Sequence, residues 1–308
     1  MTILTAVGSR ALRFAAVRRA ALTAGAFRGH GLVLVFHRIT AAESPRGLVP
    51  AIPQSLFRRM LDALLEAGDV VSLEALLEPA MDSRRPRFAL TFDDDWMSHY
   101  DGAFPVLTDL GLTATFFVSG RSLHGLGPLW FERLDSLIVG VGIRSAARRL
   151  GLATHDIDQL ALACENDPAL QERIAAMSDG GVRRLGRAEI RALADAGMTI
   201  GFHTLQHRLL PLLDGAALEN ALLQGRAELE ETARAPIRLF AYPHGKGDAR
   251  APPRLRRAGF VAAFTGRPRP VRRGDDPYLL GRWEPGAVDL DRFVARLGVR
   301  LNGWTRYR

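Results

Sequence analysis

Short runs of apolar and β-branched residues alternate along this chain with longer stretches whose apolar positions recur every three to four residues. The runs read as strands buried on both faces, and the periodic stretches read as helices. The pattern predicts strands at 31–37, 69–72, 88–92, 114–119, 198–203, 238–242, 260–265 and 279–283. It predicts helices at 55–67, 187–196, 215–233 and 253–258. Strands that alternate with helices imply βα units and a parallel sheet. Eight of them favour closure into a barrel over an open sheet. The stretch 121–186 breaks the rhythm: it exceeds the length of a βα loop, and its own patterns, such as "WFERLDSLIVGVG" and "DPALQERIAAM", are helical. It reads as a helical insertion that roofs one end of the barrel; no linker-like boundary marks it as a separate domain. The chain then divides into a basic segment at 1–30, a barrel at 31–298 carrying the insertion, and a tail at 299–308.

Composition narrows the function classes. The net charge of +8 comes almost wholly from arginine, with Lys246 as the one lysine. The arginines are scattered and interleave with no aromatic recognition motif, which argues against nucleic acid as a partner. The single cysteine, Cys164, excludes an intramolecular disulfide and any multi-cysteine metal site. In the segment 1–27 the residues Arg10, Arg13, Arg18 and Arg19 interrupt the apolar positions. They leave no membrane-spanning run and no charged-then-apolar order of an export signal. The segment reads either as a basic amphipathic helix lying on an anionic membrane surface or as a surface helix packed on the domain. The expected location is the cytoplasm, with the inner membrane face as a peripheral contact.

The chemistry gathers at strand ends. The run Phe88-Ala-Leu-Thr-Phe92 is followed directly by Asp93, Asp94 and Asp95. Carboxylates do not extend a buried strand, because burying one unpaired costs several kcal/mol. They can stand at its carboxyl end, the face that carries chemistry in parallel α/β folds; a solvated turn with an aspartate helix cap is the plainer alternative. The strand at 198–203 ends in "HTLQH", which sets His203 and His207 four residues apart. Two imidazoles and a carboxylate form the three-ligand set of a catalytic metal with positions left for water and substrate. Two further strand ends bear histidine, "LVLVFHR" at His37 and "FAYPHG" at His244.

These motifs resemble those of the polysaccharide deacetylases, carbohydrate esterase family 4, whose NodB-homology domain is a distorted (β/α) barrel. "LTFDDD" and "HTLQH" match the first two family motifs. "LVLVFHRI", "VVSL" and "FAYPHG" extend the likeness toward the branch that contains poly-N-acetylglucosamine deacetylases. The resemblance covers residues 31–285 apart from the insertion. It implies Asp93 as general base and Asp94, His203 and His207 as ligands of one divalent ion, zinc foremost, with cobalt or nickel as alternatives. It implies His37 as general acid, the His244 amide as oxyanion donor, and Arg282 of "LLGRWEP" beside the base. The implied reaction is N-deacetylation of an acetylated sugar, oligosaccharide or polysaccharide precursor. An O-acetyl esterase and a catalytically silent glycan-binding homologue are the alternatives. The chain departs from the family at four places. Asp95 stands where glycine is usual, which implies a turn position tolerant of φ > 0. His244 replaces a tyrosine, Ala241 replaces an arginine, and no late Leu-x-His motif follows Leu279.

Overall fold

The computed structural model describes residues 30–78, 85–165, 167–177 and 182–301; the basic amino-terminal segment and residues 302–308 lie outside them. Among the described residues ten strands are formed: β1 (His30–Phe36), β2 (Arg38–Thr40), β3 (Ala51–Pro53), β4 (Asp69–Val70), β5 (Arg87–Asp93), β6 (Thr115–Val118), β7 (Thr199–Phe202), β8 (Leu239–Ala241), β9 (Ala262–Phe264) and β10 (Val271–Arg272). The main sheet runs β10-β1-β5-β6-β7-β8-β9, with β4 beside the start of β5. It is parallel from β1 to β9, and β10 lies antiparallel to β1. Strands β2 and β3 form a separate parallel pair.

The sheet curls because both of its faces are apolar and each must be covered. The two-residue period of a strand sorts the side chains. Leu32, Leu34 and Phe36 of β1 and Phe88, Leu90 and Phe92 of β5 face an outer core shared with the helices. Val33, Ala89, Phe117, Leu239, Ala241, Ala262 and Phe264 face a smaller inner core. Gly201 on the inner side of β7 is required by space, since a Cβ there would stand 2.4 Å from the Phe117 ring. The same alternation turns Thr91 and Asp93 inward.

The residues 279–283 do not form the eighth strand that their apolar run predicts. Leu280 pairs with Phe264 of β9 and Trp283 with Leu34 of β1, both in parallel fashion. The segment changes partner within four residues, so no ladder of successive pairs can develop. It nonetheless joins β9 to β1 through backbone bonds such as Thr265 N–H to Leu280 (2.7 Å) and Val35 N–H to Trp283 (3.0 Å), which closes the ring.

The helices are α1 (Gln54–Ala67), α2 (Leu73–Leu77), α3 (Phe104–Asp109), α4 (Trp130–Val141), α5 (Ile143–Arg149), α6 (Ile157–Glu165), α7 (Pro168–Met177), α8 (Arg187–Asp195), α9 (Gly215–Leu223), α10 (Arg226–Ala233), α11 (Ala251–Arg257) and α12 (Leu290–Leu301). The helix expected over 215–233 is two, α9 and α10. Gly225 between them sits at φ +85°, and a Cβ there would crowd Leu205 and His124 at 3.2–3.3 Å. Helix α12 runs on through residue 301, past the expected end of the barrel at 298. The insertion is helical: α4 to α7 enclose a core of their own that includes Leu134, Leu160, Ile174 and the buried Cys164. Arg38 pairs with Asp135 on α4, whose other oxygen accepts the Val49 N–H at 2.9 Å, so the insertion is fastened to the barrel. No helix among the described residues is long and apolar enough to cross a membrane.

Candidate active site

The carboxyl ends of β1, β5, β7 and β8 open into one cavity of about 430 Å³. It is lined by His37, Asp93, Asp94, His203, His207, His244, Arg282 and Glu284, and, from the insertion, by Trp130, Phe131, Ala161 and Glu165. All seven residues singled out in the sequence therefore meet at one place. Three of the five non-glycine residues with positive φ among those described line it, Asp94 (73°), His207 (48°) and His244 (56°), and a fourth, Thr204 (61°), directly follows His203. Such conformations cost of order 1–3 kcal/mol each and persist only where the surroundings enforce them.

Asp93, the last residue of β5, meets the guanidinium of Arg282 in a fork, Nη1 to Oδ1 and Nη2 to Oδ2, both at 2.6 Å. Both side chains are buried. Burial alone would push the Asp93 carboxyl up, but the fork outweighs it and holds the pKa down at about 2. Arg282 is itself steadied by Thr91 and lies over the Phe117 ring, 5.3 Å from its centre.

Asp94 leaves the strand in the left-handed conformation and turns its carboxylate the other way. Its Oδ1 lies 3.7 Å from His203 Nε2 and 3.5 Å from His207 Nε2, and the two imidazole nitrogens are 3.2 Å apart. Ligand atoms of all three residues fall within 4.8 Å of one another. His203 donates its Nδ1–H to the Ala241 carbonyl at 2.9 Å, which fixes the tautomer and leaves Nε2 bare toward the other two. His207 packs between the rings of Phe131 (4.9 Å) and His244 (4.7 Å), with its Nδ1 buried and unpartnered. Trp96 donates its indole N–H to the second oxygen of Asp94 at 3.3 Å. A carboxylate oxygen and two bare imidazole nitrogens converging on one point fit a zinc-type divalent ion.

His37 also lines the cavity, half-buried, its Nδ1 3.0 Å from Oε1 of Glu284. Burial disfavours its charge, yet the Glu284 carboxylate prevails and raises its pKa to about 9. His99 donates from Nε2 to the His37 carbonyl at 2.5 Å and anchors the backbone there. Burial holds His99 neutral, with a pKa lowered to about 4. His244 lies in the turn Pro243–Gly245 at the end of β8, and its exposed ring reaches His207.

Asp95 departs from the sequence expectation. The positive φ belongs to Asp94, and Asp95 is no solvated turn residue. Its carboxylate is 2% exposed and accepts the Ser119 N–H and the Ser119 hydroxyl, each at 2.6 Å, and Arg184 Nη2 at 3.3 Å. Sequence reasoning also missed Glu284, Trp96, Arg184 and the pair Trp130–Phe131. Glu284 carried a signal: two residues beyond Arg282 in extended chain, it projects to the same side. The others come from the insertion or the first turn after β5, where no period marks orientation.

Comparison with known proteins gives three findings. The family profile described as polysaccharide deacetylase matches residues 80–263, more than half of the chain. YxkH of Bacillus subtilis (strain 168) is 26% identical over 151 residues. That match covers 48% of each chain, so this chain spans about half the length of that curated relative. Among solved structures, IcaB from Ammonifex degensii superposes with a TM-score of 0.61 at 23% identity, over 89% of this chain and 97% of that one. The Streptococcus pyogenes deacetylase PplD, determined with acetate, gives 0.59 at 16% identity over 83% and 92%. At these identities the two structures speak for the fold.

Proposed function

Because the chain belongs to the polysaccharide deacetylase family, we propose that it is a metal-dependent hydrolase acting on the acetamido group of N-acetylated sugar units. One observation carries this reading: a single cavity gathers Asp93, forked by Arg282, and His37, paired with Glu284, around the Asp94–His203–His207 cluster. Asp94, His203 and His207 would hold one divalent ion, zinc by donor chemistry, with cobalt or nickel able to substitute. When bound, the ion supplies Lewis-acid polarisation of the acetyl carbonyl and a lowered pKa for the attacking water.

The remaining work falls to the chain. Asp93 accepts the proton of the attacking water; Arg282 keeps it ionised and aimed, at some loss of basicity. His244 lines the cavity, and its backbone N–H is assigned to donate to the oxygen on which negative charge develops. His37 gives its proton to the departing nitrogen, and the C–N bond breaks to leave acetate and a free amine. Protonation matters most for an amide, because an amine is a poor leaving group as an anion. A histidine already charged at neutral pH therefore favours N- over O-deacetylation.

Acetate release from a panel of N-acetylated and O-acetylated glycans, with and without chelator, tests the proposal. Chelator-sensitive release from N-acetylated members is expected. Release confined to O-acetyl esters, or unaffected by chelation after metal stripping, would overturn it.

A further inference from the structure

The geometry points to Arg184, at the exit of the helical insertion, as a positioning residue that braces both ligand-bearing segments of the Asp94–His203–His207 triad. The inference rests on the metal reading above, and no catalytic contact is claimed for it. On one side Arg184 reaches Asp95, the neighbour of the ligand Asp94, with Nη2 3.3 Å from Oδ2. The main chain reinforces that contact. Leu185 N–H donates to the Asp95 carbonyl at 2.7 Å, Met97 N–H donates to Arg183 at 3.1 Å, and Trp96 and Arg184 form an antiparallel bridge. Ser119 at the end of β6 completes the cage around Asp95. The left-handed turn at Asp94 is thus held from its next residue, through a side chain and a backbone carbonyl at once.

On its other side Arg184 lies against Glu132 of α4, Nε to Oε1 at 3.9 Å, and both side chains are buried. The second oxygen of Glu132 accepts the Leu129 N–H at 2.5 Å and fixes the start of α4. The preceding residue, Phe131, places its ring against His207. Arg184 therefore joins the turn that bears Asp94 to the helix start that backs His207. Without it, two buried carboxylates lose their shared cation, and each must move toward water or be neutralised. Lysine can restore the charge but not the two-sided reach of a guanidinium.

The test is zinc affinity, measured by competition with a chromogenic chelator on metal-stripped protein, beside thermal stability. The variants are Arg184→Met and Arg184→Lys. Leu160→Ala is the control, because it damages the insertion's own core away from the triad. Partners that orient ligands typically change metal affinity about 10–100-fold when removed. That loss is expected for Arg184→Met and a smaller, several-fold loss for Arg184→Lys, while Leu160→Ala melts lower yet binds zinc like the parent. Should Arg184→Met not fold, Arg184→Lys carries the test. Parental affinity in the folded Arg184 variants, or an equal loss in Leu160→Ala, would overturn the inference alone. A parent chain that binds no divalent ion would overturn the metal reading and this inference with it.

Discussion

The His37–Glu284 pair makes a quantitative prediction. Glu284→Gln preserves size and removes the charge that raises His37 from 6.5 to about 9. The Glu284 side chain is 40% exposed, so solvent screens part of its effect, and Asp93 and Asp94 remain as weaker anionic neighbours. A drop of about 1–2 units in the His37 pKa is therefore expected rather than a return to the free value. The sign follows from which form the carboxylate favours. Without it, imidazolium loses its partner and the proton leaves at lower pH. If the pKa settles near 7.5, the protonated fraction at pH 8 falls from about nine-tenths to about a quarter. The alkaline limb of kcat/KM on an acetamido sugar should move toward acid by the same interval. On an acetyl ester with a good leaving group the limb should hardly move, because that leaving group needs no proton. The same pair bears on stability: its contribution is full below about 6.5 and fades as pH rises through 9. Paired pH profiles on the two substrates decide the matter. An unmoved limb on the amide would separate Glu284 from the acid. An equal shift on the ester would remove His37 from leaving-group protonation.

Other outcomes follow from the same geometry. Asp94→Ala, His203→Ala and His207→Ala should each lose stoichiometric metal by elemental analysis, and acetate release with it. Asp93→Asn should keep the metal and lose about 10²–10⁴ in kcat; metal loss in this variant would reassign the two carboxylates. Asp95→Gly strips Arg184 of a buried partner, a loss of about 3–5 kcal/mol, so calorimetry should show a Tm lower by about 5–8 °C. Trp130→Ala, on the wall that the insertion supplies, should raise KM for an oligosaccharide several-fold while leaving a small acetyl ester unaffected.

Much of the barrel was legible in the sequence because strands buried on both faces must be apolar throughout. Phe88–Phe92 could scarcely have been anything else, and the two-residue period then sends Asp93 inward. The site histidines were legible for the same reason: a polar residue that ends such a run stands at the rim. Other features depend on partners remote in sequence. Residues 279–283 look like a strand, yet they divide their pairing between β9 and β1, which no local period encodes. The break at Gly225 depends on Leu205 and His124 lying close by. The role of the insertion in walling the cavity depends on how α4 and α6 dock, and their own periodicity reports only their private core.

The three consecutive aspartates show the division most clearly. In sequence they are one acidic cluster; in the fold each goes to a different partner. Asp93 follows the pleat into the barrel and meets Arg282. Asp95 turns toward β6 and the insertion and meets Arg184. Asp94, between them, is equally buried, but the groups that face it are two imidazoles and an indole N–H. Burial pushes the Asp94 carboxyl up and the His207 imidazole well down, so the triad tends to shed charge on both sides. Deprotonated carboxylate and neutral imidazole are the forms that bind a metal. A divalent ion held there would supply for Asp94 the positive charge that arginine supplies for its two neighbours, and would favour the deprotonated carboxylate and neutral imidazoles together. The charge pattern and the donor geometry lead separately to the same site.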